Sequence, residues 1–290
     1  MTREELLSRY AAGERDFRNA DLQKVDLSGA NLTRANLSGA NLVFANLAEA
    51  TLARANLSVA NLAEANLSEA NLFGADLFRA NLAFANLFGA NLAEAILAEA
   101  NLALANLAEA NLSEASLTDA ELIWANLSGA NLSNANLRWS HLNGTTLDKA
   151  CLAGVDLSGA YLSMASLLGA DLYGAKLSGA TLYKADLSYA DMVLSDLSGA
   201  NLTKANLTGA TLAWANLAGV NLDGANLDGA NLKGTILSED CAPEVKVCLQ
   251  PLSSPVWGQP RLPDALSGSR VVNGWLRTGY ATGDGDGGER

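Results

Sequence analysis

Apolar residues recur along this chain with a period of five. From Leu22 to Leu237 every fifth position is leucine, with Met192 the single substitution among forty-four, and no insertion or deletion shifts the phase. The spacing fits neither regular element. On an α-helix five residues advance by about 500°, which scatters the leucines around the barrel. On a flat strand an odd spacing sends them alternately to opposite faces. A single buried core therefore requires a backbone that turns a corner every five residues. Ahead of the register the pattern differs. Thr2-Arg3-Glu4-Glu5 has the form of a capping box, Leu6, Leu7, Tyr10 and Ala11 follow at helical spacing, and Gly13 supplies a stop. This predicts a short amphipathic helix covering the open edge of the first coil, whose unpaired backbone groups would otherwise recruit another chain.

The remaining positions of the unit sort by size. Two residues before the leucine, thirty-seven of the forty-four units carry Ala; the exceptions are Val25, Ser140, Thr145, Val155, Ser195, Val220 and Thr235. A site that admits nothing larger than valine is enclosed, so Ala and Leu form the inward pair. The residue between them is Asn or Asp in most units, which predicts that the corner sits there, since these side chains hydrogen-bond their own backbone at turns. The two positions after Leu vary freely and are expected on a solvated outer wall.

Tandem units such as Ala30-Asn31-Leu32-Thr33-Arg34 and Ala45-Asn46-Leu47-Ala48-Glu49 resemble the pentapeptide-repeat family, A(N/D)LXX, over about residues 16–239. The resemblance implies an all-β fold, a right-handed quadrilateral β-helix with four pentapeptides per square coil and about 11 coils. Coils stacked at roughly 4.8 Å would give a rod on the order of 50 Å long. The segment EELLSRYAAGERDF resembles the N-terminal stretch of pentapeptide-repeat proteins common in cyanobacteria. The expected organisation is a capping helix over 1–16, the β-helix over 17–239, and a Pro/Gly-rich, partly disordered C-terminal tail over 240–290. All five prolines lie in that tail, Asn273-Gly274 carries a hairpin signal, and the last residues read GDGDGGER. The tail caps the last coil, docks on the rod or hangs free. It lacks a clear amphipathic helix of the kind through which family members dimerise, so a monomer or weak dimer is expected.

Catalytic chemistry is hard to place on such a chain. His141 is the only histidine among 290 residues; no phosphate-binding loop or nucleophile setting occurs, and carboxylates on a convex wall have no cleft around them. No catalytic, cofactor-binding or metal-ligating residue is expected, and no cofactor. Cys151, Cys241 and Cys248 are odd in number without CxxC spacing, which favours free thiols and a cytoplasmic location. No signal peptide or membrane-length apolar run is visible.

Charge and aromatic placement supply the candidate surface. The formal net charge is −12, and residues 41–121 hold ten acids against Arg54 and Arg79. With twenty-residue coils, Glu94 lies beneath Glu114, Glu99 beneath Asp119, and Glu49 beneath Glu69, an arrangement that gains no stability. Phe84, Leu104 and Trp124 share one outward position on consecutive coils, with Phe44 two coils lower, and point to a protein-binding strip, a stiffening stack or a contact with the tail. Tyr173, Val193, Leu194 and Trp214 form a smaller group able to receive the tail. The segment from Arg138 to Thr146 loses two successive Ala positions, and a local bend or bulge is expected there, with His141 solvated. The candidate partner surface is thus Glu94, Glu99, Glu109, Glu114, Asp119, Phe84, Leu104 and Trp124. Its partner is an unknown protein, and an acidic rod excludes nucleic acid as a direct ligand. Some pentapeptide-repeat proteins mimic DNA and bind type II topoisomerases. A gyrase-regulating mimic is therefore the alternative to an interaction or structural scaffold, although this chain has Leu where that branch tends to have Phe, and it leaves no room for projecting loops.

Overall fold

The computed structural model describes residues 1–237. The tail over 240–290, its prolines and hairpin signal, Cys241 and Cys248 lie outside the described residues. The first element, α1 (Arg3–Ala11), is capped by the Thr2 hydroxyl, which accepts from Glu5 N at 3.2 Å. Leu6 is fully buried against the leucine core. The helix is tied to the first turns of chain by polar contacts: the Arg3 guanidinium donates to Asp26 O at 2.6 Å and Ser28 O at 3.2 Å, and the Tyr10 hydroxyl to Thr33 O at 2.9 Å.

Beyond α1 the chain is a β-helical solenoid. Each pentapeptide contributes one bridged residue, and parallel bridges join residues twenty apart, from Asp16↔Asn36 through Asn106↔Asn126 to Thr211↔Asn231. Four pentapeptides therefore make one coil. Only at the far end do bridges lengthen into two-residue strands, β1 (Asn216–Leu217) pairing parallel with β2 (Ile236–Leu237).

The unit works because it satisfies all five of its N–H groups. In the unit around Leu47, Asn46 N donates back to Val25 O at 2.9 Å, Leu47 N forward to Asn66 O at 2.6 Å, and Glu49 N forward to Ser68 O at 2.9 Å. Ala50 N closes a turn on Leu47 O at 3.0 Å. The fifth, Ala48 N, is met by the Asn46 side-chain oxygen at 3.3 Å.

This geometry moves the corner away from the position expected from composition. The turn occupies the two residues after Leu, and the Asn or Asp sits at the bridged position instead. Its side chain caps the turn that follows, and its amide reaches the neighbouring coil. Asn46, Asn66, Asn86, Asn106 and Asn126 donate in succession to Asp26, Asn46, Asn66, Asn86 and Asn106 at 3.0–3.3 Å. Cys151 and His141 likewise occupy bridged positions rather than corners. The His141 ring stacks on that of Tyr161 with centroids 4.8 Å apart.

The weakened segment shows no bulge. Glu121↔His141↔Tyr161 and Asn126↔Thr146↔Ser166 keep the twenty-residue register. Ser140 and Thr145 fill Ala sites because neighbouring carbonyls take their hydroxyls, Leu137 O at 2.6 Å and Leu122 O at 2.8 Å, and both residues are fully buried. At the opposite end from α1, Leu222, Leu227 and Leu237 are only partly buried.

Candidate interaction surface

The variable side chains are mounted on the turns. The second residue after each Leu takes a left-handed conformation, with φ between 54° and 63° where it is not glycine. Such a conformation costs an L-residue roughly 1–2 kcal/mol. It persists because the same residue's N–H is committed to the next coil, which fixes the backbone from outside. Glu, Phe, Trp, Lys and Arg all occupy it, so the solenoid has four corner columns of outward side chains, each advancing by twenty residues.

The acids of the candidate surface divide among three of these columns. Glu94 and Glu114 stand on one. Glu99 and Asp119 stand on the next, above Arg79, whose Nε lies 2.7 Å from Glu99 Oε2. Glu109 stands on a third with Glu49 and Glu69, flanked along the column by Gly89 and Gly129. All are exposed. They surround the solenoid as a belt and do not converge on one face.

Phe84, Leu104 and Trp124 are brought together on the fourth column, 60%, 49% and 57% exposed. Each donates its N–H to the residue just before the next corner: Phe84 to Ala103 O, Leu104 to Ile123 O and Trp124 to Asn143 O, all at 3.0 Å. Corner is thereby stacked on corner. The residues before them, Ala83, Ala103 and Ile123, are half-buried on the adjoining edge and widen the strip to two residues. Sequence reasoning missed these three, although a run of small or apolar residues at twenty-residue intervals was there to be read. Glu64 closes the lower end of the column, between Phe44 and Phe84.

At the upper end the Trp124 indole leans over Gly144, where a Cβ would overlap ring atoms Cε3 and Cζ3. The arrangement recurs at Trp139 over Gly159, Tyr189 over Gly209 and Trp214 over Gly234. The pairing of a corner aromatic with glycine twenty residues on was also legible.

One shallow groove of about 420 Å³ opens where Gly129 leaves a corner bare, lined by Glu109, Ser128, Asp148, Lys149 and Leu168. Asp148 is already engaged there, accepting from the Ser166 hydroxyl and from Leu168 N at 3.2 Å. At Asp156 burial opposes ionisation, but hydrogen bonds from the Ser158 hydroxyl and N–H and the charges of Arg138 and Lys176 outweigh it and hold the carboxyl below its usual range. Among the described residues no group of His, Cys, Asp and Glu is arranged to hold a metal ion. No helix among them is long and apolar enough to cross a membrane.

The chain matches the family described as pentapeptide repeats over residues 16–43, 40–78, 85–122, 120–159, 150–188, 165–203 and 205–239. Among solved structures it is similar to HetL, a pentapeptide repeat protein involved in heterocyst differentiation regulation from the cyanobacterium Nostoc sp. strain PCC 7120. The two are 38% identical over 83% of this chain and 99% of HetL, with a TM-score of 0.34. It is also similar to alr5209, a pentapeptide repeat protein from Nostoc PCC 7120, at 34% identity over 41% of this chain and 80% of that one, with a TM-score of 0.30. A pentapeptide repeat protein of the Arabidopsis thaliana thylakoid lumen is 36% identical over 37% of this chain and 70% of its own, with a TM-score of 0.22. No curated protein sequence matches the chain.

Proposed function

We propose, since the chain belongs to the pentapeptide-repeat family, that it is a non-enzymatic scaffold that binds a protein partner on the corners of its β-helix. The reading includes a right-handed solenoid of about 11 coils, a cytoplasmic location and a Pro/Gly-rich C-terminal segment over 240–290. One observation carries it. The repeat uses its own polar groups on itself, N–H by N–H and Asn by Asn, so the corner side chains are what it leaves for chemistry with others. Among them Phe84, Leu104 and Trp124 form a contiguous exposed apolar row, the kind of feature on which a protein partner can bury side chains. The likeness to HetL, a protein involved in the regulation of differentiation, supports a role exerted through contacts.

Affinity capture with the full chain, with residues 1–239, and with a Phe84→Ser/Leu104→Ser variant tests this. The scaffold reading expects a specific partner retained by the full chain, and its loss with the variant places that partner on the apolar row; capture indistinguishable from a control protein overturns the reading.

The acid excess over residues 41–121 favours a second reading, a DNA mimic that regulates gyrase. The division of the acids among corner columns argues against it, because a mimic of a duplex backbone needs its charges in register on one side. A supercoiling assay separates the two: unchanged gyrase activity at micromolar protein removes the mimic.

A further inference from the structure

We infer that the strip formed by Ala83–Phe84, Ala103–Leu104 and Ile123–Trp124 receives a basic amphipathic helix of a protein partner, laid along the solenoid axis. The inference rests on the scaffold reading above and specifies what that scaffold binds.

The strip is apolar, two residues wide and three coils long. Glu64 ends it at one side and the Asn143–Gly144 corner at the other. Its rim is acidic. Glu99 and Asp119 stand on the preceding corner, Glu109 on the following one, and Glu121 on the wall between, all exposed. Of the bases around this rim, Arg79 is held by Glu99 at 2.7 Å and Arg138 lies 3.9 Å from Asp156, while Lys149 shares a groove with Glu109 above the strip. An occupant that buries apolar side chains here therefore meets negative potential on both flanks, and most on the flank of Glu99, Asp119 and Glu121. Lys and Arg on either side of an apolar row complement it.

The spacing selects the secondary structure of the occupant. Corners repeat at the strand separation of about 4.8 Å, so Phe84 to Trp124 spans roughly 9.6 Å. A helix places same-face residues at i, i+3 or i+4, and i+7, rising about 4.5–6 Å and then about 10.5 Å. Three successive apolar residues of one helical stripe thus meet three successive corners. An extended strand repeats on one face every 6.6–6.8 Å or so, and its third same-face residue falls about 4 Å out of step, between two corners. Two turns of helix suffice to cover the strip, with apolar residues at i, i+3 or i+4, and i+7, and bases on both sides.

The test uses the full chain and two synthetic 14-residue peptides of identical Leu and Lys content. In one, Leu follows helical periodicity; in the other Leu and Lys alternate. Titration calorimetry should show the helical-period peptide binding at least tenfold more tightly. The advantage should vanish with Phe84→Ser/Leu104→Ser, shrink with Glu99→Gln/Asp119→Asn, and survive Trp214→Ala, which alters an exposed aromatic on another column. Equal binding of the two peptides, or an advantage untouched by Phe84→Ser/Leu104→Ser, overturns the inference. Should that variant lose its fold, a photo-leucine version of the helical peptide replaces it. Crosslinks on residues 83–84, 103–104 and 123–124 of the unaltered chain support the strip, and crosslinks elsewhere overturn it. A captured partner whose binding ignores the strip sinks this inference and leaves the scaffold standing, whereas failure of the scaffold reading shows as no specific capture at all.

Discussion

The indole of Trp124 lies over Gly144, the corner residue one coil further on, in space that a side chain would otherwise fill. Gly144 has φ +68°, in the left-handed region that a corner requires, but corners occupied by Glu and Lys lie in the same region at 55–60°, and backbone conformation alone does not demand glycine there. The ring does. Gly144→Ala should therefore lose about 1 kcal/mol for the left-handed conformation and a further amount for the displaced indole. Gly174, with φ +63° and nothing within 4 Å of a would-be Cβ, isolates the first effect. Thermal melts should rank Gly144→Ala below Gly174→Ala, and only Gly144→Ala should red-shift the tryptophan emission. Equal melts and spectra would remove the ring from the account.

Asn86 makes three bonds at once. It donates to Asn66 at 3.1 Å, accepts from Asn106 at 3.0 Å and caps Phe88 N at 3.3 Å. Asn86→Ala strands two donors, the Asn106 amide and Phe88 N, while Asn66 Oδ1 keeps Ser68 N at 3.2 Å, and should cost about 1–3 kcal/mol. Asn86→Asp keeps both acceptor roles and loses only the donor, so it should cost less. The rank order in denaturant melts checks this, and an Asp variant worse than Ala would mean that the ladder is not the stabilising element.

How much of this was readable in the sequence depends on which interaction chose each residue. The leucine and alanine positions were legible because enclosure leaves no substitute: Leu127 and Ala125 are buried to within 1% and the pattern repeats unit by unit. The turn was misplaced because Asn46 and its equivalents do make turn bonds, but from two residues ahead of the turn. Nor does intrinsic preference announce a left-handed Glu49 or Trp124. That conformation is imposed by hydrogen bonds to a coil twenty residues away, and a single unit cannot show it. The apolar strip was half-visible: Phe84, Leu104 and Trp124 stood out as large residues, whereas Ala83 and Ala103 looked like ordinary wall.

Leu127 has no exposed surface and lies in the middle of the column of coils. Leu127→Ala should cost about 2–5 kcal/mol, as in other cores that cannot collapse around a cavity. An unchanged melting temperature would contradict an enclosed leucine spine.

Ser140 and Thr145 point the other way. The carbonyls that take their hydroxyls are bonded already, Leu137 O by Ser140 N at 3.2 Å and Leu122 O by Ala125 N at 3.0 Å. Ser140→Ala and Thr145→Ala restore the common residue without stranding an acceptor, so each should shift stability by less than about 1 kcal/mol. Thr145→Val keeps the volume and removes the donor, and should be no better than Ala. A large loss for Ser140→Ala would show that the hydroxyl, not the site's size, matters.

Acid should loosen the N-terminal end before the rest. Arg9 donates to the Glu14 carboxylate and holds it below its ordinary 4.5; Arg18, by side chain and then backbone, holds Asp16 below 3.8. Asp26 is held below 3.8 by the Ser28 N–H and hydroxyl and by the charge of Arg3, which spans from α1 to this coil. A carboxyl whose value is depressed by folding binds fewer protons folded than unfolded. Its contribution is complete above the ordinary value and disappears as pH falls through the depressed one. The fastenings of α1 should therefore weaken below pH 4.5, while the leucine core does not titrate. Amide exchange measured by mass spectrometry, corrected for intrinsic rates, should show residues 1–20 losing protection on acidification before residues 100–120. Glu14→Gln should flatten part of that dependence. Simultaneous loss along the whole chain would place the acid-sensitive contacts elsewhere.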